Sequence, residues 1–115
     1  MRILVVDDNI ALAESITMML ESRGHNVQTA VDGADGLFRF RESQFSNLSF
    51  DAVVSDWQMP KMDGIEMIQQ IRRMSPLVTI VLVSGGGPQV PESIPFLAKP
   101  FHIADLLLAL GAEPK

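Results

Sequence analysis

Five polar side chains that could do chemistry each stand at, or just beyond, the end of a short apolar run. They are Asp7, Asp8, Asp56, Ser84 and Lys99. If the runs are parallel strands, their carboxyl ends share one edge of a sheet, and three carboxylates, a hydroxyl and an ammonium meet there. Because Asp56 alone could simply cap its own loop, the convergence of all five is what favours a functional site.

The charges of these groups indicate the kind of chemistry. Three ionised carboxylates repel one another, and one ammonium leaves the cluster at a net charge of about −2, so either a carboxyl group keeps its proton or a divalent cation enters. Oxygen ligands in a chain without cysteine favour a hard ion such as Mg²⁺, which usually binds carboxylates together with phosphate oxygens. We therefore predict phosphoryl transfer to Asp56, with Lys99 and Ser84 binding phosphoryl oxygens and Gly85 leaving their approach open.

The elements that must position these residues alternate between strands and helices. Strands are predicted at 3–6, 27–31, 52–56, 78–83 and 96–98, and helices at 10–23, 34–44, 64–74 and 102–110, with Asp32-Gly33 as a turn. This alternation predicts an α/β protein with a parallel sheet covered by helices on both faces.

The spacing of apolar residues predicts which side of each helix faces the core. The first helix is expected to bury Leu12, Ile16, Met19 and Leu20. The second is expected to bury Ala34, Leu37 and Phe38, with Phe45 at the end of the same face. In the third, Ile65, Ile68 and either Ile71 or Arg72 fall at helical spacing.

Length and composition narrow the classes of protein. With 115 residues, 47% of them hydrophobic, the chain is expected to form one domain, residues 1–115. A net charge of −5 without a basic stripe argues against direct binding of nucleic acid. Since no signal peptide or membrane span is recognisable and cysteine is absent, we expect a cytoplasmic protein without membrane contact.

The same residues, in this order and spacing, resemble a receiver domain of the two-component response-regulator family over nearly the whole chain. The matching pieces are Val5-Val6-Asp7-Asp8-Asn9, Asp56 with Met59-Pro60 and Asp63-Gly64, Ser84-Gly85, and Lys99-Pro100-Phe101. The resemblance implies a flavodoxin-like, doubly wound sheet of five parallel strands in the order 2-1-3-4-5. It also implies a signalling domain whose own chemistry is limited to its phosphorylation and dephosphorylation.

The resemblance implies how the acidic residues act. Asp56 would accept a phosphoryl group from a phosphohistidine of a sensor histidine kinase or a histidine phosphotransfer protein. Asp8 and Asp56 would bind Mg²⁺ directly, Asp7 would act mainly through water, and the backbone carbonyl of Gln58 would be a further ligand.

The resemblance also implies roles around the phosphoryl group. Its oxygens would be bound by Ser84, Gly85, Lys99 and the Trp57 backbone. Ser84 and Phe96 would move towards it as the switch, and the Lys99–Pro100 peptide would be cis, a form that proline tolerates.

One segment departs from the family pattern. Receiver domains place a helix between strands 4 and 5, whereas residues 85–95 contain three glycines and three prolines, which disfavour a helix. We expect this helix to be missing or reduced to a turn, leaving apolar sheet surface uncovered. A homodimer through the strand 4/strand 5 face would then cover that surface.

Two alternative functions remain open. One is a pseudo-receiver, a protein-interaction module that is not phosphorylated, although the acceptor, the acidic residues and Lys99 are all present here. The other is a phosphohydrolase with an aspartyl nucleophile, a class that favours a second acid where this chain has Gln58.

Overall fold

The computed structural model describes residues 1–57, 64–84, 94–99 and 101–111, and for Ser84 the backbone alone. The elements are β1 Arg2–Val6, α1 Ile10–Glu21, β2 Asn26–Ala30, α2 Gly33–Phe45, β3 Ala52–Asp56, α3 Gly64–Met74, β4 Thr79–Ser84, β5 Phe96–Ala98 and α4 Ile103–Leu110. The predicted alternation is confirmed, with boundaries that differ by one or two residues. In the described part of the chain no helix is long and apolar enough to cross a membrane.

The five strands form one parallel sheet in the order β2-β1-β3-β4-β5. The doubly wound α/β fold implied by the resemblance is therefore confirmed. Val6 lies opposite Ser55, and Asp56 lies opposite Val83, so β1, β3 and β4 end at the same edge. The residues that follow these strands are consequently brought together by the register of the sheet.

Alternate residues of the strands face two separate core layers. Leu4, Val6 and Val53 pack in the layer formed with α2 and α3, whereas Ile3 and Val5 pack in the layer formed with α1 and α4. Because both faces of the central strands are buried, their sequences are continuously apolar rather than alternating.

The helix ends follow ordinary capping chemistry. The Asn9 side chain accepts a hydrogen bond from the Leu12 amide at the start of α1, and the Asp32 side chain accepts one from the Asp35 amide at the start of α2. Asp32-Gly33 is therefore a helix start and not the separate turn that the sequence predicted.

The predicted core face of α2 is wrong. Leu37 is buried as expected, but Phe38 and Phe45 are 60% and 88% exposed, and Ala34 is exposed as well. The aromatic residue that enters the core is Phe40, which stacks at an angle on Phe50 with 6.0 Å between ring centroids.

A glycine explains this orientation of α2. Gly36 is buried, and a Cβ atom there would contact the Met67 sulfur of α3 and the Val6 side chain of β1. The helix thus approaches its neighbours through Gly36, which turns Leu37 and Phe40 inward and leaves Phe38 outside. Spacing of large apolar residues alone does not show this.

The predicted loss of the helix between strands 4 and 5 falls on residues 85–93, outside the described residues. The three residues of β5 pair with Leu82, Val83 and Ser84 of β4. Ile80 and Leu82 are buried, so the expectation that their sheet surface is uncovered is wrong. The homodimer through the strand 4/strand 5 face loses that support and stays a prediction.

Candidate functional site

The end of β1 holds Asp7 firmly and leaves Asp8 accessible. The Asp7 side chain is 1% exposed, and its Oδ1 accepts a hydrogen bond of 2.8 Å from the Asn9 amide. Its own amide donates to the Ala30 carbonyl at 3.0 Å. Asp8 is exposed. The turn from β1 into α1 therefore fixes one acid inside the edge of the sheet and presents the next one to solvent.

The end of β3 places Asp56 beside these acids. Asp56 is half-buried and pairs with Val83 in the sheet. The amide of the following residue, Trp57, donates to the Val83 carbonyl at 3.0 Å, so the hydrogen bonding between β3 and β4 continues past Asp56. Asp56 thus stands on a rigid strand end, as a reactive group requires.

The structure brings together four of the five residues that the sequence singled out. One carboxylate oxygen each of Asp7, Asp8 and Asp56 lies within 4.8 Å of the others. The Lys99 ammonium, which directly follows β5, lies 3.2 Å from Asp7 Oδ2 and 3.5 Å from Asp56 Oδ1. The fifth residue, Ser84, ends β4 at this same edge.

The surroundings of Asp56 raise the pKa of its carboxyl group. Burial is the largest cause, and the neighbouring Asp7 carboxylate is the second, with Asp8 adding a smaller effect. The Lys99 ammonium and the backbone amide of Trp57 act in the opposite direction. Ionised Asp56 is therefore held at a free-energy cost that a further cation at the cluster would reduce.

The donor set fits a hard divalent cation. The ligand atoms are carboxylate oxygens that come from two strands, and the exposed Asp8 leaves a path from solvent to the cluster. Mg²⁺ prefers oxygen ligands and keeps some of its positions for water or phosphate oxygens. The cluster offers such an ion a partly complete shell.

Two residues contact the backbone at Asp56 and Trp57, and neither of them was assigned a role from the sequence alone. The buried Ser55 hydroxyl donates to the Asp56 carbonyl at 2.9 Å. The Gly64 amide donates to the Trp57 carbonyl at 2.9 Å, and a Cβ atom on Gly64 would collide with the Asp56 carbonyl. A serine inside an apolar strand and a glycine opening a helix were the signals that could have identified them.

Several predicted groups lie outside the described residues. They are the Gln58 carbonyl, the Ser84 side chain, Gly85 and Pro100 with its peptide bond. Trp57 and Phe96 are half-buried and both pack against the core layer of α2 and α3. Since the Trp57 amide is paired with Val83, its predicted contact with a phosphoryl group stays a prediction.

Comparison with known proteins identifies the family. The family model described as the response regulator receiver domain matches residues 3–111, a range that includes the whole acidic cluster and Lys99. The chain belongs to the response-regulator receiver family. Receiver domains are phosphoacceptor signalling domains of two-component systems, so the fold and the acidic edge now have a common explanation.

Relatives of this receiver domain include regulators about twice its length. It is 34% identical over 119 aligned positions to the response regulator MprA of Mycobacterium sp. strain KMS, a match that covers 96% of this chain and 49% of that protein. It is 36% identical over 89 positions to the chemotaxis protein CheY of Treponema pallidum, covering 76% and 60%. The chain thus spans about half the length of the first of these relatives.

Solved structures show the same fold. A receiver domain from Clostridium thermocellum superposes on this receiver domain with a TM-score of 0.83 at 29% identity, covering 96% of this chain and 90% of that one. The CheX–CheY–BeF3–Mg²⁺ complex of Borrelia burgdorferi gives a TM-score of 0.80 at 26% identity, covering 94% and 84%.

Proposed function

We propose that this receiver domain, residues 1–115, accepts a phosphoryl group on Asp56 from the phosphohistidine of a sensor histidine kinase or a histidine phosphotransfer protein. The observation that carries the proposal is the position of the Lys99 ammonium, within 3.5 Å of both the buried Asp7 and the acceptor carboxylate. A cation there, beside three carboxylates on a rigid sheet edge, is suited to binding phosphoryl oxygens.

In the proposed reaction Asp56 is the nucleophile. An ionised carboxylate oxygen attacks phosphorus, the bond from phosphorus to the donor imidazole nitrogen breaks, and the imidazole leaves with the electron pair. The leaving nitrogen is then protonated from solvent, so the products are an aspartyl phosphate and a neutral histidine. Because burial raises the pKa of Asp56, the reactive ionised form is lost at a higher pH than in an ordinary aspartate as the pH falls.

Mg²⁺, when bound, would neutralise charge on the carboxylates and on the transferred phosphoryl group. We propose Asp8 and Asp56 as direct ligands. Both oxygens of Asp7 are already occupied, one by the Asn9 amide and the other by the Lys99 ammonium. This supports a role for Asp7 through water, with the Gln58 carbonyl as the remaining protein ligand.

The proposed signal is a change of conformation that controls a partner protein. Ser84 and Phe96 would respond to the phosphoryl group, and Ser84, Gly85 and Lys99 would bind it. We further propose that the catalysis of this chain is confined to its own phosphorylation and dephosphorylation. The alternative is a pseudo-receiver that binds partners without being phosphorylated.

Acetyl phosphate provides the test. The protein is incubated with Mg²⁺ and this small donor and weighed intact by mass spectrometry, beside Asp56→Asn and the control Asp105→Asn, which changes an exposed acid on α4. We expect one added phosphoryl group on the wild type and on Asp105→Asn, and none on Asp56→Asn. An unmodified wild type would favour the pseudo-receiver, and a modified Asp56→Asn would place the acceptor elsewhere.

A further inference from the structure

The outer side of α2 and the end of α3 carry large apolar side chains that face solvent. Phe38 and Phe45 are seven residues apart, which places them on the same side of α2, and both are exposed. Leu77 follows α3 by three residues and is 95% exposed. Single exposed apolar residues are common, but a stripe of this kind needs an explanation.

A groove runs between the two helices beside this stripe. It has a volume of about 370 Å³ and is lined by Arg41, Gln44, Phe45 and Met74, residues from the carboxyl-terminal halves of α2 and α3. In a parallel sheet the crossover helices run back against the strands, so these helix ends lie at the edge opposite Asp56. The groove is therefore separate from the phosphoacceptor site.

The charge of this helical layer differs from that of the rest of the molecule. α2 and α3 together carry four arginines and three acids, a net charge of +1, whereas α1 and α4 carry three acids and no basic residue, a net charge of −3. The whole chain has a net charge of −5. Of the two helical layers, the one that holds the groove therefore carries a net positive charge and the other a net negative charge.

Among the described residues, three of these four arginines have no acidic partner. Arg39 pairs with Asp35 at 3.2 Å within α2. Arg41, Arg72 and Arg73 form no ion pair with any residue that the structure describes. The Arg72 Nε atom is also buried without a hydrogen-bond partner in that part of the chain. Of these three, Arg41 lines the groove and is exposed, so its guanidinium is available to a ligand there.

We propose that the groove between α2 and α3 binds an acidic amphipathic helix of a partner protein. Apolar side chains at helical spacing would lie against Phe45 and Met74, and an aspartate or glutamate on the flank of the helix would pair with Arg41. A second copy applied through the same surface would bring two layers of net positive charge together, so charge complementarity favours a different, acidic partner. Phosphorylation of Asp56 is not required for this contact.

A pair of synthetic peptides tests the proposal. The probe has about sixteen residues, leucines at three- and four-residue spacing, and glutamates on the flanks, while its control carries lysine at every glutamate position. With isotope-labelled full-length protein, we expect the acidic probe to shift backbone amide resonances of α2 and α3 and to bind with a Kd on the order of 10–100 µM. The lysine peptide should bind at least ~10-fold more weakly.

Matched variants assign the contact to the groove. Phe45→Ser and Arg41→Glu should each weaken binding of the acidic probe by about 10-fold. Leu108→Ser and Arg23→Glu make the same changes at exposed residues elsewhere and should leave the affinity unchanged. All four positions are exposed, so the variants should unfold at nearly the same temperature as the wild type.

Four results would overturn the proposal. They are an absence of binding by the acidic probe at about 1 mM, equal binding of the acidic and basic peptides, resonance shifts that lie outside α2 and α3, and equal losses in test and control variants. Self-association of the free protein that Phe45→Ser abolishes in sedimentation would instead assign the groove to a second copy. None of these results bears on the acetyl phosphate experiment.

Discussion

At the scale of single residues, the acidic cluster is held together by one internal cation. Lys99 lies close to both Asp7 and Asp56, but three carboxylates still face one ammonium. The raised pKa of Asp56 reflects this imbalance together with burial. A group kept ionised in such surroundings lowers the stability of the folded state, and the proposed role of Asp56 as phosphoacceptor would explain why the charge is retained.

Asp56→Asn should therefore stabilise the protein in the absence of divalent ions. We expect the free energy of unfolding at neutral pH to rise by on the order of 1 kcal/mol, because the cost of burying the Asp56 charge and its repulsion with the Asp7 carboxylate are both removed. Urea unfolding of the variant and the wild type in a chelating buffer measures this. A less stable variant at neutral pH would show that Asp56 contributes more by pairing with Lys99 than it costs.

The pH dependence of this gain follows from the direction of the pKa shift. The pKa of Asp56 is higher in the folded protein than in the unfolded chain. Between the ordinary value of 3.8 and this raised pKa, the folded state therefore holds more protons than the unfolded state. The stability of the wild type consequently falls with rising pH through that window. The difference between Asp56→Asn and the wild type should be small below pH 3.8 and reach its full size above the raised pKa.

The sequence was informative about the residues that end apolar strands. Asp7, Asp8, Asp56 and Lys99 could be grouped because parallel strands end at one edge, which needs no knowledge of side-chain packing. Ser55 could not be assigned in this way. Its hydroxyl contacts the backbone of Asp56, and the neighbouring Gly64 comes close only when α3 packs onto β3.

At the scale of elements, the order of strands and helices could be predicted, but the orientation of α2 could not. Apolar spacing locates a helix, whereas the side facing the core also depends on where small residues allow close approach. In α2 that residue is Gly36, which lies against the Met67 sulfur of α3. Phe38 and Phe45 were therefore assigned to the core although they lie on the surface.

Two glycine substitutions should compare the cost of a methyl group placed against backbone with the cost of one placed against side chains. Gly64→Ala places a methyl group against the Asp56 carbonyl, which cannot move without disturbing β3, and should lower the free energy of unfolding by about 2–3 kcal/mol. Gly36→Ala meets the movable end of the Met67 side chain and, at 3.0 and 3.3 Å, the methyl groups of Val6, while it improves helix propensity, so its net cost should be smaller, about 1 kcal/mol.

Urea titrations of both variants measure these differences. Gly64→Ala should also accept phosphoryl groups from acetyl phosphate more slowly at temperatures where it remains folded, whereas Gly36→Ala should react like the wild type. The opposite order of stabilities would show that the chain near Asp56 adjusts more easily than the contact between α2 and α3.

At the scale of the whole molecule, one sheet joins two core layers. Side chains of β1 and β3 alternate between the layer of α2 and α3 and the layer of α1 and α4, so neither layer can come apart without exposing the central strands. The alternation of predicted strands and helices along the chain predicted such a sheet. The strand order could be taken only from the family resemblance, because the apolar runs do not specify which strand lies beside which.

This shared sheet predicts a single unfolding transition. Trp57 packs against the layer of α2 and α3, and it is the one tryptophan of the chain, so its fluorescence reports on that layer. Far-ultraviolet circular dichroism reports on all helices. The two signals should give the same urea midpoint. An earlier midpoint by circular dichroism would mean that the layer of α1 and α4 unfolds separately.

The central position of β1 has a consequence for synthesis of the chain on the ribosome. β1 can pair with β2 once residue 30 has emerged, but its other edge stays open until Ala52–Asp56 follows. The strand that covers this edge is β3, which also places Asp56 beside Asp7. A nascent chain therefore has no assembled acidic cluster while this edge of β1 is open, and the proposed acceptor site forms only when the edge is covered.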